Sequence, residues 1–185
     1  SSQFEANPYR KRNTPLGDIT DSQPLLINED QGLTSAVLAV GANDGMLHVI
    51  NATASGGNPI FSYVPSQVYG KLPELLDTYY SHRTFVNGQQ VARKLGDSGP
   101  TLLVGALGSG GRGLYALDLT EASKGSLDSD AAAQKVVKWE FTPDDDKDAL
   151  TELSDVGFIF GKPAITRLKM GSADKWVVIT HNGYN

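Results

Sequence analysis

The chain carries one strand–turn–strand plan twice and opens it a third time. That repeat restricts the fold to stacked units whose apolar faces are buried only against one another. Residues 37–52 read as an apolar strand, a tight Asn43-Asp44-Gly45 turn and a returning strand. Residues 102–120 repeat the plan around a Gly/Ser turn, and residues 176–185 open a third copy that reaches only its Asn182-Gly183 turn. A piece of a larger protein is therefore the expectation.

Twenty glycines and nine prolines in 185 residues demand many turns, which favours an all-β class. An apolar content of 39% with 20% charged residues lies in the globular range. The net charge of −5 argues against a nucleic-acid or anionic-membrane surface. The one dense basic run, Arg10-Lys11-Arg12, reads as a solvated tail. The absence of cysteine removes disulfides, thiolate metal sites and cysteine nucleophiles together, and does not choose a compartment. No apolar stretch approaches the roughly 20 residues of a membrane span. The opening Ser1-Ser2-Gln3-Phe4 shows no signal-peptide pattern, so the signal of an exported parent is expected upstream.

Turn chemistry and alternation divide the chain into a polar lead-in over 1–15, a blade over 16–64, an insert over 65–82, a blade over 83–141 and an incomplete blade over 155–185. The first blade is expected to take strands from 16–20 to 25–27, then 36–41, 46–52 and 60–64. Gly45 supplies the positive φ that a primed hairpin turn needs. The insert predicts a helix over 66–80, with Ser66 as N-cap and Pro73 opening its second part. The second blade takes its inner strand at 84–86 or 90–92, then 101–105, 113–119 and 136–141. The third takes 157–161, 164–168 and 176–180. From Gly41 to Gly105 the step is 64 residues, longer than the ~40–50 of common propeller repeats. The insert and a polar, alanine-containing stretch near 121–135 account for the excess. The expected fold is thus a partial β-propeller of about two and a half four-stranded antiparallel blades. Phe61 and Tyr63 close the first blade and Trp139 and Phe141 the second, each after Asn51-Ala52-Thr53 or Asp118-Leu119-Thr120. These aromatics are expected to dock between blades, and none is given a ligand role.

Catalytic and metal chemistry is sparse. In the run 144–148, Asp144, Asp146 and Asp148 alternate as calcium ligands would, but Lys147 interrupts them, the turn Gly is missing and Glu152 falls too early for a distal ligand. A solvated loop tip is the better reading. His48 reads as a hydrogen-bonded strand residue and His82 as a loop residue. With His181 they lie too scattered to imply one metal site. The run 108–113 is glycine-rich but precedes a strand, not the helix that a phosphate loop requires. No serine stands in a Gly-x-Ser-x-Gly elbow. Asp18, Asp44 and Asp118 sit at strand ends without an evident acid/base partner. Asp18, which could face a propeller channel, is expected to cap N–H groups beside Gly17. No catalytic, cofactor or metal residue is assigned.

Seven segments in series carry a resemblance. They are 40–48 (Val40-Gly41-Ala42-Asn43-Asp44-Gly45-Met46-Leu47-His48), 63–66, 81–83, 104–108, 115–118, 157–163 and Asn182-Gly183-Tyr184-Asn185. In this order, from about Leu16 to Asn185, the chain resembles the C-terminal β-propeller of the type IV pilus tip-associated adhesin and biogenesis proteins, the PilC/PilY family. The resemblance implies an exported Gram-negative protein at the outer membrane or pilus tip, supporting pilus assembly against retraction, attachment to host cells and virulence. It implies minor pilins, the pilus tip and a host-cell surface as partners, and a regulatory calcium loop elsewhere in the parent propeller. No residue of this chain matches that loop, so no cofactor is expected here. The remainder of the propeller, as a second chain or a symmetry copy, is expected to cover the open strand at 176–180.

Two readings compete with this interaction module. A quinone-dependent dehydrogenase propeller would need calcium ligands and a cationic side chain converging on the channel, and no such set is present in the sequence. A periplasmic scaffold propeller of outer-membrane assembly fits poorly with the long inserts and the Asn-Gly-Tyr-Asn segment.

Overall fold

The computed structural model describes residues 8–123, 127, 129–148 and 154–183. Among these described residues, three antiparallel sheets follow one another along the chain, each with its strands in sequence order. The first sheet holds β1 (Leu25–Ile27), β2 (Val37–Gly41), β3 (Leu47–Asn51) and β4 (Pro59–Tyr63). The second holds β5 (Gln90–Lys94), β6 (Thr101–Ala106), β7 (Leu114–Asp118) and β8 (Val137–Phe141). The third pairs β9 (Ala164–Met170) with β10 (Ala173–Ile179). This is the all-β, open-sheet architecture expected, and the first strands of the three sheets, β1, β5 and β9, lie side by side in succession.

The repeat is visible in register as well as in order. Leu47 faces Tyr63 and Val49 faces Phe61 in the first sheet, as Leu114 faces Phe141 and Ala116 faces Trp139 in the second. Both sheets then slip register at the matching step, between Val49 and Ile50 and between Ala116 and Leu117. The strands end alike: Asn51 Oδ1 accepts the Thr53 N–H at 2.9 Å, and Asp118 Oδ1 accepts the Thr120 N–H at 3.0 Å. Such side-chain turns end a strand by giving the next backbone donor a local partner. In this register Gly41 corresponds to Ala106, one residue beyond the Gly105 expected, because Gly41 faces Leu47 and Ala106 faces Leu114.

Alternation along the strands assigns each face to a core. One core joins Ile27, Val37, Ala39, Leu47 and Val49 of the first sheet to Leu103, Tyr115 and Leu117 of the second, with Phe61 and Tyr63 packed against it. The other joins Leu102, Val104, Ala106, Leu114 and Ala116 to Val156, Ile159 and Ile165, with Trp139, Phe141, Trp176 and Val178 packed against it. The second sheet is therefore buried on both faces, as a blade within a propeller must be. The four marker aromatics are all partly buried and sit between successive sheets, as expected. Arg93 ties the second sheet to the third, donating to the Ile165 carbonyl at 2.9 Å with its guanidinium 5.4 Å from the Trp176 ring centroid.

Several local expectations are corrected. Residues 16–20 form no strand; the first blade begins at Leu25. Of the two inner-strand candidates, 90–92 lies in the strand. Phe85 and Val86 are buried in the approach to it. The insert is 3-10 over Ser66–Leu76, with Pro65 as its N-cap and Pro73 inside it. A proline N–H is missing there, which favours tight turns over a continuous α-helix. Ser66 caps nothing, and its hydroxyl bonds Glu140 instead. The third strand of the second blade stops at Asp118, whose carboxylate caps α1 (Leu119–Ala122). The stretch near 121–135 also holds α2 (Asp130–Val136), N-capped by Ser129; residues 124–126 and 128 lie outside the described residues. Residues 157–161 make only an isolated bridge from Phe158 to Arg112.

Candidate functional site

The β2–β3 turn projects Asn43 and Asp44 beyond the first sheet. Gly45 adopts φ +94°, and a side chain there would strike Leu72. Asp44 is buried, and its carboxylate accepts the Gly17 N–H at 2.9 Å, the Met46 N–H at 3.1 Å and a bond from His48 Nε2 at 2.9 Å. Burial alone would raise its pKa, but the bonds from His48 and Gly17 outweigh it and hold the carboxyl below the ordinary aspartate value. With Nε2–H donated to Asp44, His48 Nδ1 accepts the Ser62 hydroxyl at 2.9 Å. Carboxylate, imidazole and hydroxyl thus stand in the order of an acyl-transfer relay. Ser62, however, lies within β4 directly opposite His48, on a flat strand and not on a strained elbow. The chain of bonds acts as a tie between the turn, β3 and β4.

The neighbouring carboxylate, Asp18, is half-exposed and accepts from Asn43 Nδ2 at 3.0 Å and His82 Nε2 at 2.8 Å. The N–H-capping role expected of Asp18 belongs instead to Asp44. Asn43 also accepts the Phe85 N–H at 3.0 Å, so the turn and the insert share one polar network that contains His48 and His82. His181 lies apart, accepting the Gly161 N–H at 2.6 Å. Asp118, beyond its cap, pairs with Lys138 at 3.3 Å.

The basic run is not a solvated tail. Arg10 donates its N–H to the Leu76 carbonyl at 2.9 Å and lays its guanidinium 3.7 Å from the centroid of Tyr80. Arg12 donates to the Pro15 carbonyl at 3.0 Å. Together with Asp18 and His82 these residues line a cleft of about 290 Å³. A larger cleft of about 560 Å³ opens beside β10, between Leu114, Trp139 and Phe141 on one side and Val178 and Thr180 on the other, with Asp145 also in its lining.

The carboxylates of 144–148 serve their own loop. Asp145 accepts the Thr142 N–H and hydroxyl, each at 2.8 Å. Asp146 accepts the Asp155 and Val156 N–H groups at 2.9 and 2.8 Å, and Asp144 pairs with Lys147 at 2.7 Å. Among the described residues no three His, Asp or Glu side chains converge as metal ligands; Glu152 lies outside them. Adding calcium is therefore expected to leave the thermal midpoint of this chain unchanged. A saturable upward shift at micromolar calcium in scanning calorimetry would show that the run binds the ion. The glycines of 108–113 serve packing: a side chain on Gly110 would meet the Phe85 carbonyl oxygen at 1.5 Å.

Sequence reasoning missed Glu140. Its carboxylate accepts from Tyr63 Oη, from the Ser66 N–H at 2.9 Å and from the Ser66 hydroxyl, clamping β4 and the insert to β8. Burial and this carboxylate both push the Tyr63 phenol pKa upward. Alternation held the signal, since an acid between Trp139 and Phe141 faces the opposite side, toward the first blade.

Both ends of the stack expose apolar rows. Leu26 pairs with Leu38 and Leu38 with Ile50 on the outer face of the first sheet, with Leu26 51% exposed. Leu168, Met170 and Ile179 of the third sheet are 44%, 52% and 48% exposed.

The comparisons with known proteins agree in direction. A family model described as the PilY1 beta-propeller domain matches residues 18–185. The chain is 33% identical over 211 residues to the type IV pilus biogenesis factor PilY1 of Pseudomonas aeruginosa strain PAK, covering all of this chain and 16% of that protein. A PilY1 homolog of Xylella fastidiosa strain Temecula1 is 33% identical over 207 residues, 96% of this chain and 13% of its own length. The crystal structure of the Pseudomonas aeruginosa PilY1 C-terminal domain is 34% identical with a TM-score of 0.56, over 84% of this chain and 26% of that one.

Proposed function

The chain belongs to the PilY1 β-propeller family, and on that premise we propose that it is a non-enzymatic interaction module of a type IV pilus biogenesis factor. The observation that carries the reading is the family match from residue 18 to residue 185, joined to a fold of successive, mutually buried sheets. In this reading the parent protein sits at the Gram-negative cell surface, at the outer membrane or pilus tip, where it supports pilus assembly against retraction and surface or host-cell attachment. Minor pilins at the tip are its protein partners, and calcium acts at another part of the parent propeller.

The exposed apolar rows at the two ends of the stack fit further blades of the same parent polypeptide. This chain accounts for only 26% of the solved relative's chain, and closed propellers need about 4–8 blades. The polar network supports an interaction role over catalysis: each of its acids and histidines already serves as a structural tie.

Deleting the parent gene should abolish surface pili in a retraction-competent strain. The wild-type gene should restore them, and so should disabling retraction. Unchanged pilus number and attachment in the deletion strain would refute the proposal.

A further inference from the structure

The cations of the basic run meet at one cleft, although the chain as a whole carries a net charge of −5. Arg10, Lys11 and Arg12 line it, with Leu16, Leu75 and Tyr80 as its apolar wall. Two of the three are held in place. The Arg10 N–H is bonded to the Leu76 carbonyl, and its half-buried guanidinium lies 3.7 Å from the Tyr80 ring centroid. Arg12 donates to the Pro15 carbonyl at 3.0 Å. An aromatic face and a carbonyl are neutral partners, so neither contact cancels the charge. Among the described residues, arginine pairs with a carboxylate at Arg83–Glu74 and Arg167–Asp174, and no carboxylate pairs with Arg10, Lys11 or Arg12. The fold therefore gathers like charges against their repulsion and commits none of them to an internal acid.

A guanidinium fork fits a carboxylate or a phosphate. Two features favour the carboxylate. The lining holds one acid of its own, Asp18, which Asn43 and His82 occupy. That charge repels a doubly charged phosphate more than a singly charged carboxylate. The surroundings are also apolar: Leu16 is 44% exposed, and Leu76, whose carbonyl takes the Arg10 N–H, is 51% exposed. An anion with an apolar flank removes that surface from water, whereas a bare ion leaves it wet. At about 290 Å³ the cleft admits one or two side chains and no more.

We propose that this cleft docks an acidic peptide segment of a protein partner. The segment's carboxylates pair with Arg10, Lys11 and Arg12, and an apolar neighbour lies against Leu16 and Tyr80. Arginine and tyrosine are the side chains that most often anchor protein interfaces. Lys11 and Arg12 are exposed, and exposed charge pairs are individually weak and screened by salt. Docking at this cleft is therefore reversible and sensitive to ionic strength. The inference goes beyond the pilus role and does not depend on it.

The probe is a dye-labelled, C-terminally amidated peptide of the order Leu-Glu-Tyr-Glu-Leu, with a control in which glutamine replaces both glutamates. Titrating the 185-residue chain into each, with fluorescence anisotropy as readout, should give saturable binding of the first and none of the control. Raising sodium chloride from about 0.05 M to about 0.5 M should weaken binding at least about threefold. Arg10→Gln should weaken it about tenfold, as for loss of a charge-assisted hydrogen bond. If that variant unfolds, the double variant Lys11→Gln with Arg12→Gln, at two exposed positions, should weaken binding at least about fivefold. Asp18→Asn should tighten binding about twofold by removing the one acid in the lining, a gain that a purely structural role for these residues would not produce. No saturable binding, equal binding of the two peptides or undiminished binding by folded cleft variants would overturn the site. Displacement of the peptide by inorganic phosphate at concentrations below the peptide's own Kd would overturn the carboxylate in favour of a phosphate. Self-association of the chain that Arg10→Gln abolishes would overturn the assigned partner in favour of a second copy. A strain that piliates normally without the parent gene leaves all of these outcomes standing, so the two failures are distinguishable.

Discussion

Tyr115→Ala is expected to cost the fold about 3–5 kcal/mol, the range for deleting a buried aromatic side chain, while Tyr115→Phe costs nothing or stabilises. Tyr115 is 1% exposed and stands between the first two sheets, its ring tilted 49° against Tyr63. Its hydroxyl is buried without a hydrogen-bond partner among the described residues, and that burial pushes the phenol pKa upward. An unpaired buried hydroxyl costs roughly 1–3 kcal/mol, so removing it while keeping the ring removes a penalty and no contact. Urea unfolding of the three proteins measures both effects. A Phe variant as unstable as the Ala variant would mean that the hydroxyl has a partner the geometry does not reveal. Gly105→Ala should resemble Tyr115→Ala in direction, because its new Cβ would lie 2.3 Å from the Tyr115 ring tip. That close approach cannot relax by moving a flexible side-chain end, since the ring is enclosed on every side.

What was legible in the sequence follows from the range of the forces involved. The hairpins at Asn43-Asp44-Gly45 and after Ala106, and the alternation in β2, β3, β6 and β7, are local signals. They placed those four strands to within a residue or two. The inter-sheet docking of Phe61, Tyr63, Trp139 and Phe141 was legible because the repeat places them identically, so two copies could be compared. The strand anticipated at 16–20 failed for a non-local reason: those residues spend their polar groups on the β2–β3 turn, with Gly17 donating to Asp44 and the Asp18 carbonyl accepting from Asn43. The basic run was misread likewise. Nothing beside Arg10 in the sequence points to Tyr80, which lies seventy residues further on and meets it only through the fold. The polar network was half legible: His48 and Ser62 share a sheet face by simple pairing, whereas the junction of His82 with Asp18 depends on the path of the insert.

Asp44 sets the second large expectation, a loss of about 2–3 kcal/mol for Asp44→Ala, as for removing a charged acceptor from several buried donors. The substitution leaves the Gly17 and Met46 N–H groups and the His48 ring without the carboxylate they share. Asp44→Asn should cost less, since one amide oxygen can still accept, but it removes the charge. That difference gives the prediction its pH signature. The Asp44 carboxyl is held below its ordinary value of 3.8 in the folded chain, so the unfolded chain binds the proton more readily. Its stabilising contribution is therefore fully present above about pH 5 and fades as the pH falls through the depressed folded value. Asp18, held low by Asn43 and His82 against its own burial, titrates in the same direction and belongs to the same network. Unfolding free energy measured from pH 6 to pH 3 should thus decline in the wild type and decline less steeply in Asp44→Asn. His82→Gln should remove part of the Asp18 contribution and leave that of Asp44, because His82 faces Asp18 while His48 faces Asp44. Parallel curves for wild type and Asp44→Asn would mean that the carboxyl binds its proton equally well in the folded and unfolded chain, so that its charge adds nothing. The tie from turn to β4 would then rest on hydrogen bonding alone.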